Sequence, residues 1–263
     1  MCFSQDEPAL SLTRLAEQVS VPKSTAHRLL TTLESKRFVT RNKSTGMYQL
    51  GFRFLEMAAL LRETDMEHWA QPYLEALSAE CGETVDLAVL DGAHVIYLQV
   101  VESSQRVKLA VAVGQRLPAF CTASGKAFMA FLPAAQVEQI LAEGLSRYTE
   151  HTKVSRAELE EDLRVTRERG FGISEQEYER DINAVAAPIL NDEGHPVAVI
   201  AIAGPSFRLS RERMLELGQS ILATTEAIAH DLGRAALSAI VSKTVIPGHT
   251  ETFGMIGQTE QRG

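Results

Sequence analysis

Between Pro22 and Leu33 the chain sets Lys23, Ser24, Thr25, His27, Arg28 and Thr31 among Ala26, Leu29, Leu30 and Leu33. The four apolar residues fall at i, i+3, i+4 and i+7, the spacing of one buried helix face. The others then form a polar face with two cations, a histidine and short hydroxyls, side chains that suit phosphate oxygens and base edges in a major groove. Arg41 and Lys43 stand near the tip of a predicted hairpin, where they would meet the backbone of the same duplex. This is the chemistry of recognition, with double-stranded DNA as the partner.

The elements needed to aim those residues are legible around them. Pro22 suits a first helical turn, where a missing N–H costs nothing. Residues 12–18 form a shorter helix presenting Leu12, Leu15, Ala16 and Val19, and Val19-Ser20-Val21 turns the chain sharply between the two. Residues 38–41 and 47–50 are β-like runs joined by Asn42-Lys43-Ser44-Thr45-Gly46, a wing. Residues 11–55 hold eight Lys/Arg against two Asp/Glu, so they carry +6 in a chain whose net charge is −8. A basic module on an acidic body concentrates positive potential at one end, as nucleic-acid binding requires. The same unit on a protein partner, without DNA binding, is the alternative reading.

The rest of the chain bounds the class. Its 263 residues suggest two domains. Cys2, Cys81 and Cys121 are odd in number and lack C-x-x-C spacing, which argues against a disulfide framework or a zinc site. No signal peptide and no span of about 20 apolar residues is present, so a cytoplasmic protein without a membrane partner is expected. Cys121 near Ser124 and Lys126 could suggest a nucleophile, but the G-x-S-x-G elbow is absent and no histidine is close in sequence. No enzyme chemistry, metal or cofactor is expected, and Lys126 is read as marking the exposed side of its helix.

Beyond a helical linker at 52–66, with Phe52, Leu55, Ala59 and Leu60 as an apolar stripe, helix and strand signals intermingle. A helix over about 68–79 precedes strands at 84–90 and 95–101, joined by the turn Asp91-Gly92-Ala93-His94. A third strand is expected at 107–113 and helices at 122–131 and 135–143. Ser155 and Glu158 read as a capping box for a charged helix that ends at Gly170, with Glu160 and Arg164 as an i,i+4 pair. Strands at 184–190 and 197–203 flank Asp192-Glu193-Gly194, and a helix over 211–236 follows. The fold class is α+β. Cys121-Thr122-Ala123-Ser124-Gly125 enters a helix, where backbone N–H groups could receive a carboxylate.

Residues 22–30 (PKSTAHRLL), 45–51 (TGMYQLG), 117–127 (LPAFCTASGKA) and the stretch from Gly170 to Pro188 resemble, in order and spacing, the IclR family of bacterial transcriptional regulators. The likeness covers roughly residues 10 to 235. It implies a winged helix-turn-helix DNA-binding domain (1–51), the linker helix (52–66) and a GAF-like effector-binding domain (67–241), with residues 242–263 expected to be a disordered tail. Met1-Cys2-Phe3-Ser4 looks like the last turn of the helix that opens this family's DNA-binding domain, so that first helix is expected to be truncated. The implied function is a ligand-responsive repressor of catabolic genes, a homodimer or homotetramer that answers to a small organic acid. A small-molecule sensor acting through a protein partner is the alternative.

The resemblance also implies an effector site. It places Thr122, Ala123 and Ser124 at the floor, Leu109 and Leu117 as apolar wall, Ser174 or Glu175 as a polar contact, and Ala184, Ala201 and Ala203 along the sheet. Where the family's keto-acid binders offer Cys or Ser from the sheet and an Asp after the Gly-aromatic turn, this chain has Ala184, Ala201, Ala203 and Ser174. A ligand polar group left unpaired costs about 1–3 kcal/mol, so a larger or more apolar effector, such as an aromatic acid, is expected.

Overall fold

The computed structural model describes residues 2–3, 7–61 and 66–232. The chain divides into two compact units, Met1–Glu63 and Thr64–Gly263, a boundary inside the segment expected to be a linker. The expected tail at 242–263 lies outside the described residues.

In the first unit, α1 (Leu12–Gln18) is capped by Ser11, whose hydroxyl accepts from the Arg14 N–H. The turn to α2 (Lys23–Ser35) passes Ser20 at φ 55, and Pro22 sits at the N-cap. Leu10, Leu15, Leu30, Val39 and Tyr48 form one small core. Leu29 and Leu33 were expected on the buried face of α2, yet they are 52% and 40% exposed. The period was right, but a core this small covers only the Ala26–Leu30 line, leaving the flanking line open. The wing consists of β2 (Val39–Arg41) and β3 (Tyr48–Leu50). Asn42 organises its loop by accepting from the N–H groups of Ser44 and Thr45.

A third strand was not anticipated. β1 (Ala9–Leu10) pairs with β3, Ala9 opposite Gln49, and two residues are too few to show a period. Cys2 and Phe3 lie outside any helix or strand and pack against the small core, so the expected helical turn is not seen at the described residues. Beyond β3, Gly51 fits because a Cβ there would lie 2.0 Å from the Arg37 carbonyl oxygen. The following helix α3 (Arg53–Leu61) is tied back by an Arg37–Glu56 ion pair and by an edge contact of Phe38 on Phe54, with Arg53 holding Glu56 from within the helix.

The second unit is an antiparallel sheet ordered β6-β5-β4-β9-β8-β7, formed by β4 (Thr84–Asp91), β5 (His94–Val101), β6 (Arg116–Pro118), β7 (Gly172–Glu175), β8 (Ile182–Leu190) and β9 (Pro196–Pro205). Side chains alternate across it. One face, with Val85, Leu87, Ile173, Val185, Ile200 and Ile202, packs against α4 (Met66–Cys81) and α8 (Arg211–Leu232) in the main core. The other face is rich in alanine, and α5 (Ala123–Met129) lies on it. The approach is close: a Cβ on Gly172 would sit 2.6 Å from the Ala123 carbonyl oxygen. The expected continuation of α8 to residue 236 lies outside the described residues.

Several local expectations are corrected. Residues 107–113 form no strand, because the free edge of β5 is taken by Arg116–Pro118 instead. β7 escaped notice because it is four residues long and begins with glycine. α6 (Ala134–Leu141) and α7 (Arg156–Arg169) follow the predicted order, and Gly170 closes α7 at φ 88. Ser155 makes no side-chain cap bond, so the capping box is not formed. Glu160 pairs with Arg156, whereas Arg164 reaches Glu161 and Glu168, alternatives at i,i+3 and i,i+4 on the same exposed helix.

Candidate functional site

On α2 successive residues turn by about 100°, which gathers Lys23, Ser24, His27, Arg28 and Thr31 on one side, all exposed. Thr25 is half-buried on the flank beside Leu29. The Thr31 hydroxyl donates to the His27 carbonyl, leaving it only acceptor capacity toward a ligand. Arg41 is steered by the Gly46 carbonyl and stacks on Tyr48, 5.5 Å from the ring centre, while Lys43 is exposed on the loop. None of Lys23, Arg28, Arg41 and Lys43 has an ion-pair partner among the described residues. Their charge is therefore available to phosphates.

In the second unit a cavity of about 60 Å³ lies between the alanine-rich sheet face, the start of α5 and the segment before β6. Leu109, Leu117, Thr122, Ala123, Ser124, Ser174, Ala184, Ala201 and Ala203 all line it. Glu175 does not. Strand alternation turns it to the opposite face, where it pairs with Arg211. The Thr122 hydroxyl accepts from the Gly125 N–H and donates to the Pro118 carbonyl, which fixes the floor. Thr84 holds the outer segment by donating to the Leu109 carbonyl.

The wall is more polar than the sequence suggested. Asp86, Tyr97, Gln115, Tyr178 and Glu179 also line the cavity. Burial pushes the Asp86 carboxyl well above its ordinary value. Burial likewise raises the Tyr97 hydroxyl, with Asp86 and Tyr178 adding to the effect. The signal for Asp86 was present in Thr84-Val-Asp-Leu-Ala-Val, a lone acid in an apolar strand.

Lys126 overturns its expected place on an exposed face: it is fully buried, 2.7 Å from Asp162 and 2.6 Å from Glu177. Lys153 closes a four-membered cluster at 3.0 Å from Asp162 and 2.8 Å from Glu177. Burial alone would raise the Asp162 carboxyl, but Lys126 and Lys153 outweigh it and hold the group below its usual range. The Thr149 and Thr152 hydroxyls donate to the Gln176 and Glu177 carbonyls, so the loop bearing Tyr178 and Glu179 is pinned to the same cluster. Burial and Glu177 push the Cys121 thiol up to about 12, and at neutral pH it stays protonated. Among the described residues no group of three or more His, Cys, Asp or Glu could hold a metal ion, and no helix is long and apolar enough to cross a membrane.

Residues 58–230 match the C-terminal domain of the bacterial transcriptional regulator IclR, and residues 1–43 match the IclR helix-turn-helix domain. The chain belongs to the IclR family. Among its relatives is the transcriptional repressor IclR of Escherichia coli, 33% identical over 86% of this chain and 84% of that protein. The crystal structure of Thermotoga maritima IclR superimposes with a TM-score of 0.68 at 29% identity, covering 86% of this chain and 92% of that one. An IclR homologue from Microbacterium hydrocarbonoxydans, solved with 4-hydroxybenzoate, shares the fold with a TM-score of 0.74 at 22% identity, over 88% of this chain and 95% of that one. As an IclR-family member the chain is a DNA-binding transcriptional regulator of α+β fold.

Proposed function

We propose that this regulator represses catabolic genes and is controlled by a small organic acid held in the cavity of its second unit. One observation carries the reading: unpaired cations on α2 and the wing occur in the same chain as a cavity at the start of α5. As a homodimer, or a dimer of dimers, it would present two winged helices to the half-sites of an inverted repeat. Lys23, Ser24, Thr25, His27 and Arg28 would lie in the major groove, with Arg41 and Lys43 on the backbone. The exposed Phe52, Phe54, Leu55 and Met57 on and beside α3 support pairing of subunits there. The tyrosines of the cavity, and the 4-hydroxybenzoate held by a protein of the same fold, support an aromatic acid. Binding regulates only if the ligand favours one arrangement of the DNA heads over another.

Mobility shift of the intergenic DNA beside the gene tests the reading, across a salt series and with a panel of aromatic and keto acids. A specific, salt-sensitive shift altered by one acid is expected. No shift under any condition would replace this reading with a sensor that acts through a protein partner.

A further inference from the structure

The sheet face beneath α5 is almost entirely small or apolar, with one exception near its centre. Strand register sets Asp86 of β4 opposite Ala201 of β9, and Ala201 opposite Ala186 of β8. The next row on the same face sets Ala203 between Thr84 and Ala184. Asp86 is 1% exposed, and its Oδ1 has no hydrogen-bond partner among the described residues. Alanine neighbours can supply none. The carboxyl lines the cavity beside Tyr97, and no lysine or arginine lines that cavity. A buried carboxyl without a partner opposes folding, so nothing in the packing accounts for an acid here. A group arriving in the cavity would account for it.

We propose that Asp86 selects the effector by hydrogen-bonding to a hydroxyl on it, so that the cavity takes hydroxylated acids in preference to the matching methyl or keto compounds. This rests on the reading of the cavity as the effector site. A hydroxyl both donates and accepts, and it satisfies Asp86 whether the carboxyl is ionised or protonated. A keto oxygen only accepts, so it can meet Asp86 only when the carboxyl is protonated, and a methyl group meets it in neither state. With no cation in the wall, a ligand carboxylate set against an ionised Asp86 would be repelled. The hydroxyl end of the acid, rather than its carboxylate, therefore meets β4.

The test is calorimetric titration of the full chain with two matched pairs, 4-hydroxybenzoate against 4-methylbenzoate and lactate against pyruvate. In the unmodified protein the hydroxyl member of at least one pair is expected to bind about tenfold tighter or more. In Asp86→Ala, which extends an existing row of alanines, that preference is lost and the melting temperature is unchanged or higher. The near-ultraviolet spectrum of bound 4-hydroxybenzoate should also differ between the two proteins, a change that a merely structural role for Asp86 would not produce. The proposal is overturned if the preference persists in Asp86→Ala, if the methyl and keto members bind tighter, or if none of the four binds. Tighter binding of 4-(aminomethyl)benzoate than of 4-hydroxybenzoate overturns it as well, by assigning Asp86 to a cation. Ala203→Phe, which fills the cavity, separates the two readings. Undiminished binding there removes the cavity as effector site, whereas lost binding there with an unaltered preference in Asp86→Ala removes only the role of Asp86.

Discussion

Lys126 Nζ lies 2.7 Å from an Asp162 carboxylate oxygen, and the lysine has no exposed surface. The pair joins α5, whose first turn floors the cavity, to α7 on the outside of the unit, and Glu177 extends it to the loop that carries Tyr178 and Glu179. Taking charges out of water is costly, so a buried cluster holds only while every charge is matched.

Lys126→Met should expose that dependence. Removing one partner of a buried pair costs roughly 3–5 kcal/mol, and the lower end applies here because Lys153 remains beside both acids. Urea unfolding measures the loss. Lys153→Met, on a residue one-third exposed, should cost distinctly less. Equal, small effects for the two variants would show that the buried lysine is not the keystone of the cluster.

Acid dependence should separate two carboxyls of opposite kind. Asp162 is held below its ordinary 3.8, so its contribution is fully present above that value and is lost as pH falls through the still lower folded pKa. Asp86 is raised well above 3.8, so the folded state binds the extra proton and stability declines as pH rises from 3.8 through the folded pKa. Asp86→Asn removes that penalty. Its melting temperature relative to the parent should rise between pH 4 and pH 8, whereas Asp162→Asn should lose most at pH 8 and progressively less as pH falls below 3.8. Parallel curves for Asp86→Asn and the parent would contradict the assignment.

Lys126 and Glu175 mark where sequence reading ran out. The DNA-binding unit was legible because its signals are local: an i, i+4 period, a turn, and a Gly-containing loop between short strands. Even there, the spacing of Leu29 and Leu33 could not show how narrow the core beneath α2 would be. The cavity floor was legible through a contiguous motif. Lys126 was not, since its partners stand 36 and 51 residues further along the chain, and nothing local distinguishes it from a solvated lysine. Glu175 was placed with Ser174 because the start of β7 was missed, and one residue of strand phase moves a side chain to the other face.

Self-association should depend on the apolar surface before and within α3. Phe52 is 78% exposed and Leu55 is 66% exposed, three residues apart. Contiguous exposed apolar surface of this kind is the usual mark of a contact surface. Phe52→Lys with Leu55→Lys is expected to shift the protein toward monomer in sedimentation velocity without lowering its helix content. An unchanged sedimentation coefficient would move the subunit contact elsewhere on the chain.

Arg28 and Lys43 should divide the DNA contacts by kind. Arg28 projects from the exposed side of α2 with His27 and Thr31, whereas Lys43 sits on the wing loop. Arg28→Ala should cost about 1–3 kcal/mol on the specific site and relax the preference at one base pair. Lys43→Ala should weaken all sequences alike and lower the slope of log affinity against log salt by about 1. Fluorescence anisotropy on the operator and on a scrambled duplex, each across a salt series, reads both quantities together. If Arg28→Ala weakens the two duplexes equally, the arginine is a phosphate contact, and base reading falls to Lys23, Ser24 and His27. On α2 those residues share its exposed face, nearer the helix N-terminus, so that end of α2 would be the part that enters the groove.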